Sequence, residues 1–183
     1  AGLAHNCIAF LFPFFSVEFN LYDKHNGYLS ATLALFWALA IIVCGRKADK
    51  VGHVKVIVPG LMVGASGLII TAFVNKAMLF YIVTALIGFG CGAMCSPSLS
   101  FLAEQCMPEK RGLFYGIAMS SYTFIGSAMG SLFFTRLGGS IIGWRGCYII
   151  IGLLVFSSAF CIYFFGKNIP RGKTSIENFE KKY

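Results

Sequence analysis

The chain has 183 residues, of which 57% are hydrophobic and only 12% are charged, and its formal net charge is +8. Soluble domains carry about 25% charged residues, so this composition excludes an ordinary soluble globular domain, which cannot hide so much apolar surface. The basic residues lie mostly in the polar connections. Lipid headgroups account for them better there than nucleic acid does, and we expect no nucleic-acid partner.

Six apolar blocks follow one another along the chain, and each is close to the ~20 residues that an α-helix needs to cross the hydrocarbon core. They cover residues 2–19, 27–44, 54–74, 78–103, 112–135 and 146–166. The sequence therefore predicts an all-α membrane protein in which residues 1–166 form a six-helix bundle within the lipid bilayer. Residues 167–183 are polar and predict a cytoplasmic linker or tail. Because no cationic segment precedes the first block, we expect helix 1 to start upstream of Ala1 and the chain to be a fragment.

The first block contains one pair of polar residues, His5 and Asn6. Polar groups in the membrane interior are costly and often functional, and histidine can carry a proton near neutral pH. Both residues are therefore candidates for the path of a solute, with hydrogen bonding inside the bundle as the alternative. Glu18, near the end of the same block, is expected at the membrane surface, either snorkelling or in an ion pair.

The stretch GRKADKVGH at residues 45–53 separates the second and third blocks. Lys and Arg collect in cytoplasmic loops. Eleven of the fifteen lie in this connection or just after it at Lys55, in the connection after the fourth block or in the tail, which predicts that both ends of the chain lie in the cytoplasm. A solvated positive loop explains the lysines but not Asp49, nor Gly45 and Gly52, which predict a tight turn.

Small residues four apart recur in the later blocks, and such pairs let the backbones of membrane helices approach each other. The pairs are Gly60 and Gly64, Gly88 and Gly92, Gly112 and Gly116, and Gly126 and Gly130. Gly88, Gly92, Gly126 and Gly130 are the helix-packing candidates in the fourth and fifth blocks. Glycine is common in membrane helices, so ordinary packing explains the pattern as well as a bundle that flexes.

Tyr122 and Thr123 lie in the middle of the fifth block and are further candidates for the solute path. Hydrogen bonding within the bundle is again the alternative. Trp37 and the many phenylalanines are expected to face lipid or neighbouring helices. No Lys or Arg lies in the middle of a block, which argues against a strongly anionic solute unless another part of the protein supplies the cation.

No motif for enzyme chemistry is present. The seven cysteines form no CxxC pair and are expected to pack as small apolar residues. An HExxH zinc motif is absent, and no histidine follows His53, as a rhomboid-like protease would need. Paired Asn-Pro-Ala turns, typical of an aquaporin-like pore, are absent too. We therefore expect no catalytic residue, no metal site and no cofactor, and the chain is not predicted to be an enzyme.

The connection after the second block resembles the loop signature of the major facilitator superfamily, G-x-L-A-D-R-x-G-R-K, which joins transmembrane helices 2 and 3. The chain reads Gly45-x-x-Ala48-Asp49-Lys50-x-Gly52-His53, so that both glycines, the alanine and the acid match, Lys50 keeps the charge of an Arg and His53 replaces the second Arg. EQCMPEKRG at residues 104–112 resembles the link between helices 4 and 5, and GWR at residues 143–145 resembles the start of helix 6. The resemblance covers the whole chain.

This resemblance implies the amino-terminal half of a twelve-helix transporter, whose partner is a carboxy-terminal six-helix half. It also implies transport of a small-molecule solute by alternating access. In the family, the acid corresponding to Asp49 meets a helix N-terminus of the opposite half, where the helix dipole favours negative charge. Asp49, with Gly45, Lys50 and Gly52, is therefore a candidate gate. N-capping of helix 3 is the alternative role for Asp49.

Two departures from family patterns narrow the mechanism. Thr84 stands where proton-coupled members often have Arg in helix 4, and Ser127 and Ser131 replace the Pro and the final Gly of the antiporter motif in helix 5. Drug/proton antiport is therefore not supported. We expect a uniporter or symporter of the plasma or bacterial inner membrane, with a coupling proton or other ion left open. The alternatives are a half-transporter that dimerises with itself and an inactive truncated half with only a structural role.

Overall fold

The computed structural model of the protein describes residues 2–106, 108–138 and 142–166. Six helices in these ranges are long and apolar enough to cross a membrane. They are α1 (Gly2–Phe19), α2 (Asp23–Val51), α3 (His53–Ala72), α4 (Ala77–Gln105), α5 (α-helical over Arg111–Thr123, π-helical over Phe124–Met129 and α-helical again over Gly130–Gly138) and α6 (Gly143–Gly166). The prediction of an all-α membrane protein with six spans is confirmed. The predicted linker or tail at residues 167–183 lies outside the described residues.

Helix α2 continues through most of the charged stretch that separates the second and third apolar blocks. It ends at Val51, and Gly52 alone lies between it and α3, with a φ of 111° that favours glycine. Ala, Lys and Arg are good helix formers, so nothing before Gly52 breaks the helix. Gly45 lies inside α2, where an added Cβ would come within 3.0 Å of Ser96 Oγ on α4. The tight turn expected of both glycines is therefore formed by Gly52 only.

The helices pack around α4, which lies mainly against α2 and α3, while α3 also lies along α6. Helix α5 is attached to this group largely through contacts of its π-helical and final segments with α1. No residue of its first segment, Arg111–Thr123, is buried. This segment therefore presents a broad open surface on the six-helix bundle.

Close helix contacts in the bundle depend on glycine. A Cβ at Gly88 would overlap the carbonyl oxygen of Leu33, and one at Gly92 would overlap the carbonyl oxygen of Trp37, so α2 and α4 meet backbone to backbone. At Gly126, an added Cβ would lie 2.8 Å from the Cα of Gly2, which joins α5 to α1 in the same way. These contacts are the close approach that small residues allow between membrane helices.

The remaining glycines with this spacing differ in their surroundings. An added Cβ at Gly130 would lie 3.2 Å from Cδ2 of Leu3, a flexible side-chain atom that can move aside. Gly112 and Gly116 have nothing within 4 Å of an added Cβ. Their position on the open segment of α5 leaves room for contacts with atoms outside the described residues.

A polar cluster joins three elements at the end of the bundle opposite Gly52. Glu18 accepts hydrogen bonds from the Arg145 guanidinium at 2.7 Å and from Trp144 Nε1 at 2.9 Å. The guanidinium of Arg145 also donates to Asn75 Oδ1 at 3.2 Å. The sequence-based expectation of snorkelling or an ion pair for Glu18 is met here by an ion pair that links α1, α6 and the turn between α3 and α4.

Candidate functional site

One histidine and two aromatic rings meet between α1, α2 and α5. The His5 ring centroid lies 5.4 Å from that of Trp37 and 6.4 Å from that of Tyr122. Trp37 is the central residue of α2, about 21 Å along the helix axis from each end, and Tyr122 lies near the centre of α5. The cluster of His5, Trp37 and Tyr122, here called the central cluster, therefore lies near the middle of α2 and α5 along their lengths.

His5 contributes the imidazole ring of the central cluster. Its Nδ1 atom is buried and has no hydrogen-bond partner among the described residues. Buried polar atoms are nearly always paired in folded proteins, so a buried nitrogen without a protein partner is a site where another molecule can complete the hydrogen bond. Two aromatic faces beside such a nitrogen suit an organic group with a ring or another flat apolar part.

The other two residues predicted for the solute path do not join the central cluster. The Asn6 side-chain amide donates to the carbonyl oxygen of Gly2 at 3.0 Å, one turn earlier in α1. The Thr123 hydroxyl is exposed and donates to the carbonyl oxygen of Met119 at 3.1 Å. Both hydrogen bonds stay within one helix, which is the local role that polar residues often take in membrane helices.

Trp37 belongs to the central cluster, where it faces a neighbouring helix, one of the two surroundings expected for it from the sequence. Tryptophan in membrane proteins concentrates at the two interfaces with water. Trp37 is instead the midpoint of a 29-residue helix. The position of a tryptophan in the middle of an apolar block, away from both membrane interfaces, is the signal that could have identified Trp37 as a site residue.

The π-helical turn in α5 begins two residues after Tyr122. It covers Phe124–Met129 and overlaps the first part of the antiporter motif, including Ser127 but not Ser131. Single π-helical turns within α-helices are frequent at functional sites. Here the turn carries Gly126, which contacts Gly2 of α1, so the interruption lies beside the central cluster and not at a helix end.

The charged end of α2 presents Asp49 and Lys50 on its surface. Both are exposed, and among the described residues Asp49 makes no ion pair or side-chain hydrogen bond. Helix α3 has no side-chain cap hydrogen bond, so Asp49 does not fill the capping role considered for it. An exposed carboxylate without a partner in its own bundle is available for a contact with another part of the protein.

His53 and Glu104 form a hydrogen bond next to this end of α2. His53 Nε2 lies 2.9 Å from Glu104 Oε1, which joins the start of α3 to the last turn of α4. The side chain of His53 is 6% exposed and that of Glu104 is 43% exposed. The sequence pointed to His53 only as the replacement for an Arg, and its partner was not foreseen because the two residues are 51 positions apart.

No group of three or more His, Cys, Asp or Glu side chains within residues 2–106, 108–138 and 142–166 is arranged to hold a metal ion. The cysteines in the same ranges are unpaired, and most are buried.

Comparison with known proteins identifies the family that this chain matches. The family model of the Major Facilitator Superfamily matches residues 1–182. A candidate niacin/nicotinamide transporter of Bacillus subtilis (strain 168), NiaP, is 26% identical over 149 residues, which cover 81% of this chain and 37% of that protein. A candidate sulfoacetate transporter of Cupriavidus necator, SauU, is 25% identical over 170 residues, covering 86% of this chain and 36% of that protein.

A third similar protein is the multidrug resistance protein MdtH of Yersinia enterocolitica. It is 27% identical over 110 residues, which cover 58% of this chain and 27% of MdtH. The chain thus spans about a third of the length of the curated relatives that it matches best in coverage. NiaP and SauU are described as candidate transporters and MdtH as a multidrug resistance protein, and none of the three is described as an enzyme.

Proposed function

The chain belongs to the major facilitator superfamily, and we propose that it forms the amino-terminal six-helix half of a transporter that carries a small organic solute by alternating access. In this proposal the solute binds at the central cluster, between this bundle and a carboxy-terminal half. The transporter works as a uniporter or symporter, with a proton as one candidate coupling ion. It lies in the plasma membrane or bacterial inner membrane with the Gly52 end of the bundle in the cytoplasm.

The central cluster is the observation that carries this proposal. A buried His5 nitrogen without a protein partner lies between two aromatic rings at the middle of the bundle. Binding sites of transporters lie near this depth. Burying a polar group there costs free energy, so the polar groups that are found there are often functional. The open surface of α5, which has no buried residue in its first segment, supports a second half packed beside the cluster.

The names of the relatives supply the first solutes to test. NiaP is described for niacin and nicotinamide, and SauU is described for sulfoacetate. Of these, the pyridine compounds match the chemistry of the central cluster best, because a flat aromatic ring fits beside Trp37 and Tyr122 and its polar substituent or ring nitrogen fits His5. We therefore propose a small aromatic or heteroaromatic solute.

The experiment is uptake of labelled nicotinate, nicotinamide and sulfoacetate by the full-length transporter in proteoliposomes. We expect His5→Gln to raise the half-saturation concentration of the accepted solute about twofold to twelvefold, which is the loss of one net hydrogen bond of about 0.5–1.5 kcal/mol. The matched control is His25→Gln. His25 lies in the first turn of α2, far from the cluster, and its Nδ1 is 2.9 Å from the Tyr81 hydroxyl.

Three results would count against the proposal. Equal half-saturation concentrations in wild type, His5→Gln and His25→Gln would mean that the solute does not bind at the central cluster. Uptake by this six-helix chain alone, as a dimer, would favour the half-transporter that pairs with itself. No uptake by any form across a broad panel of solutes would favour an inactive half with a structural role.

A further inference from the structure

A groove of about 720 Å³ opens between the first turns of α3 and the last turns of α4 and α6. Apolar side chains form most of its wall: Val54, Val58, Pro59, Phe101 and Tyr163. It lies at the same end of the bundle as Gly52 and the exposed basic residues of α2. The groove is remote from the central cluster, which lies half the length of α2 away, so it has no part in binding the solute proposed above.

The polar side of the groove is the start of α3. The first turn of a helix leaves backbone N–H groups without partners inside the helix, and the helix dipole adds partial positive charge there. No side chain caps α3, because the residue before it is Gly52. Lys55 is exposed in this first turn and lines the groove. Uncapped N–H groups beside a lysine make a place suited to an anionic group.

His53 supplies a second, independent indication of a ligand. It forms part of the groove wall and is only 7% exposed, and its Nδ1 atom is buried without a hydrogen-bond partner among the described residues. Its other ring nitrogen lies 2.9 Å from Glu104 Oε1, so the one acidic side chain that also lines the groove already has a hydrogen-bond partner. The Tyr163 hydroxyl, on α6, is the remaining titratable group of the wall.

We propose that this groove binds an anionic phospholipid of the cytoplasmic leaflet. The phosphate lies at the first turn of α3 beside Lys55, and an acyl chain lies against Val58, Pro59 and Tyr163. Charge and shape agree with this occupant, because Lys55 and the first turn of α3 lie at one rim and apolar side chains line the length of the groove. Anionic lipids are concentrated in the cytoplasmic leaflet, and basic pockets between membrane helices on that side are suited to their headgroups.

The test is lipid binding to the purified full-length protein in detergent, measured by native mass spectrometry with phosphatidylglycerol and with phosphatidylcholine. We expect phosphatidylglycerol to be retained in preference, and Lys55→Gln to weaken its binding about fivefold, as expected for one lysine near an anionic surface. Lys47→Gln is the matched control, since Lys47 is exposed at the same end of the bundle but does not line the groove. It should leave binding unchanged.

Equal retention of the two lipids, or equal effects of the two lysine variants, would overturn the proposal. Displacement of the lipid by millimolar inorganic phosphate would also overturn it, because the site would then bind a free anion. A photoreactive benzoylphenylalanine in place of Tyr163 provides a second measurement in native membranes. Cross-linking to phospholipid is the expected result, whereas a cross-link to another part of the chain would mean that the protein itself fills the groove.

Discussion

Asp49→Asn is expected to lower the initial rate of solute uptake by the full-length transporter by up to about thirtyfold. A carboxylate at a helix N-terminus contributes up to about 2 kcal/mol in a partly buried contact. Asp49 is exposed at the end of α2 and has no ion pair within the described residues, so its proposed partner is the carboxy-terminal half. Loss of that contact shifts the balance between outward-open and inward-open states, which must stay close in free energy for exchange.

The control for this prediction is Asp23→Asn, at the first turn of α2 on the opposite face of the membrane. It removes the same charge from the same helix and should leave the rate within twofold of wild type, because exposed charges contribute about 0–1 kcal/mol. Both variants should reach the membrane at normal levels. Uptake by Asp49→Asn at the wild-type rate would mean that Asp49 has no role in gating.

Gly92→Ala is expected to destabilise the protein by about 1–3 kcal/mol, the usual cost of forcing atoms into a well-packed contact. Its methyl group would overlap the carbonyl oxygen of Trp37 and lie 2.9 Å from Cβ of Ala40. Because the first of these atoms belongs to the backbone, relief requires α2 and α4 to move apart. Trp37 would move with α2, so uptake should also fall. The measurement is the unfolding midpoint in mixed detergent micelles, followed by tryptophan fluorescence.

Gly116→Ala is the matched control, since it makes the same substitution inside a membrane helix with nothing within 4 Å of the new atom. Replacing Gly with Ala in a helix interior is favourable by up to about 1 kcal/mol where there is space. The control should therefore unfold at the wild-type midpoint or slightly above it. If the two variants unfold at the same midpoint, the α2–α4 contact does not depend on Gly92. A lower midpoint for Gly116→Ala alone would instead place a helix of the carboxy-terminal half against α5.

The number and type of the elements followed from the sequence because a membrane imposes a simple length rule. A block of about 20 apolar residues has to be helical, since no water is present to pair its backbone. The length rule did not predict where α2 ends. Apolarity stops at Cys44, but the helix continues to Val51 because its hydrogen bonds do not depend on apolar side chains. The composition of the chain therefore predicted the six membrane spans but not that the turn between α2 and α3 is formed by Gly52 alone.

The central cluster was predictable only in part. His5 and Tyr122 were identified because polar groups are rare in such blocks, while Trp37 was not, because one more aromatic residue in an apolar helix carries little information. Which residues face each other depends on how helices rotate about their axes. That rotation is set by contacts such as Gly2 with Gly126 and Gly92 with Trp37. These contacts join residues more than 50 positions apart, so the small residues could be identified from the sequence but their partners could not.

Side-specific labelling of the central cluster tests alternating access most directly and needs no knowledge of the solute. Azidophenylalanine replaces Tyr122 in the full-length transporter, and a membrane-impermeant cyclooctyne is added to sealed vesicles of either orientation. We predict labelling from both sides, with Asp49→Asn accelerating it from the cytoplasmic side and slowing it from the other. Azidophenylalanine in place of Phe124, which is 63% exposed, is the control for reagent reactivity. Labelling at position 122 from one side only, or at rates that Asp49→Asn leaves unchanged, would contradict alternating access at this site.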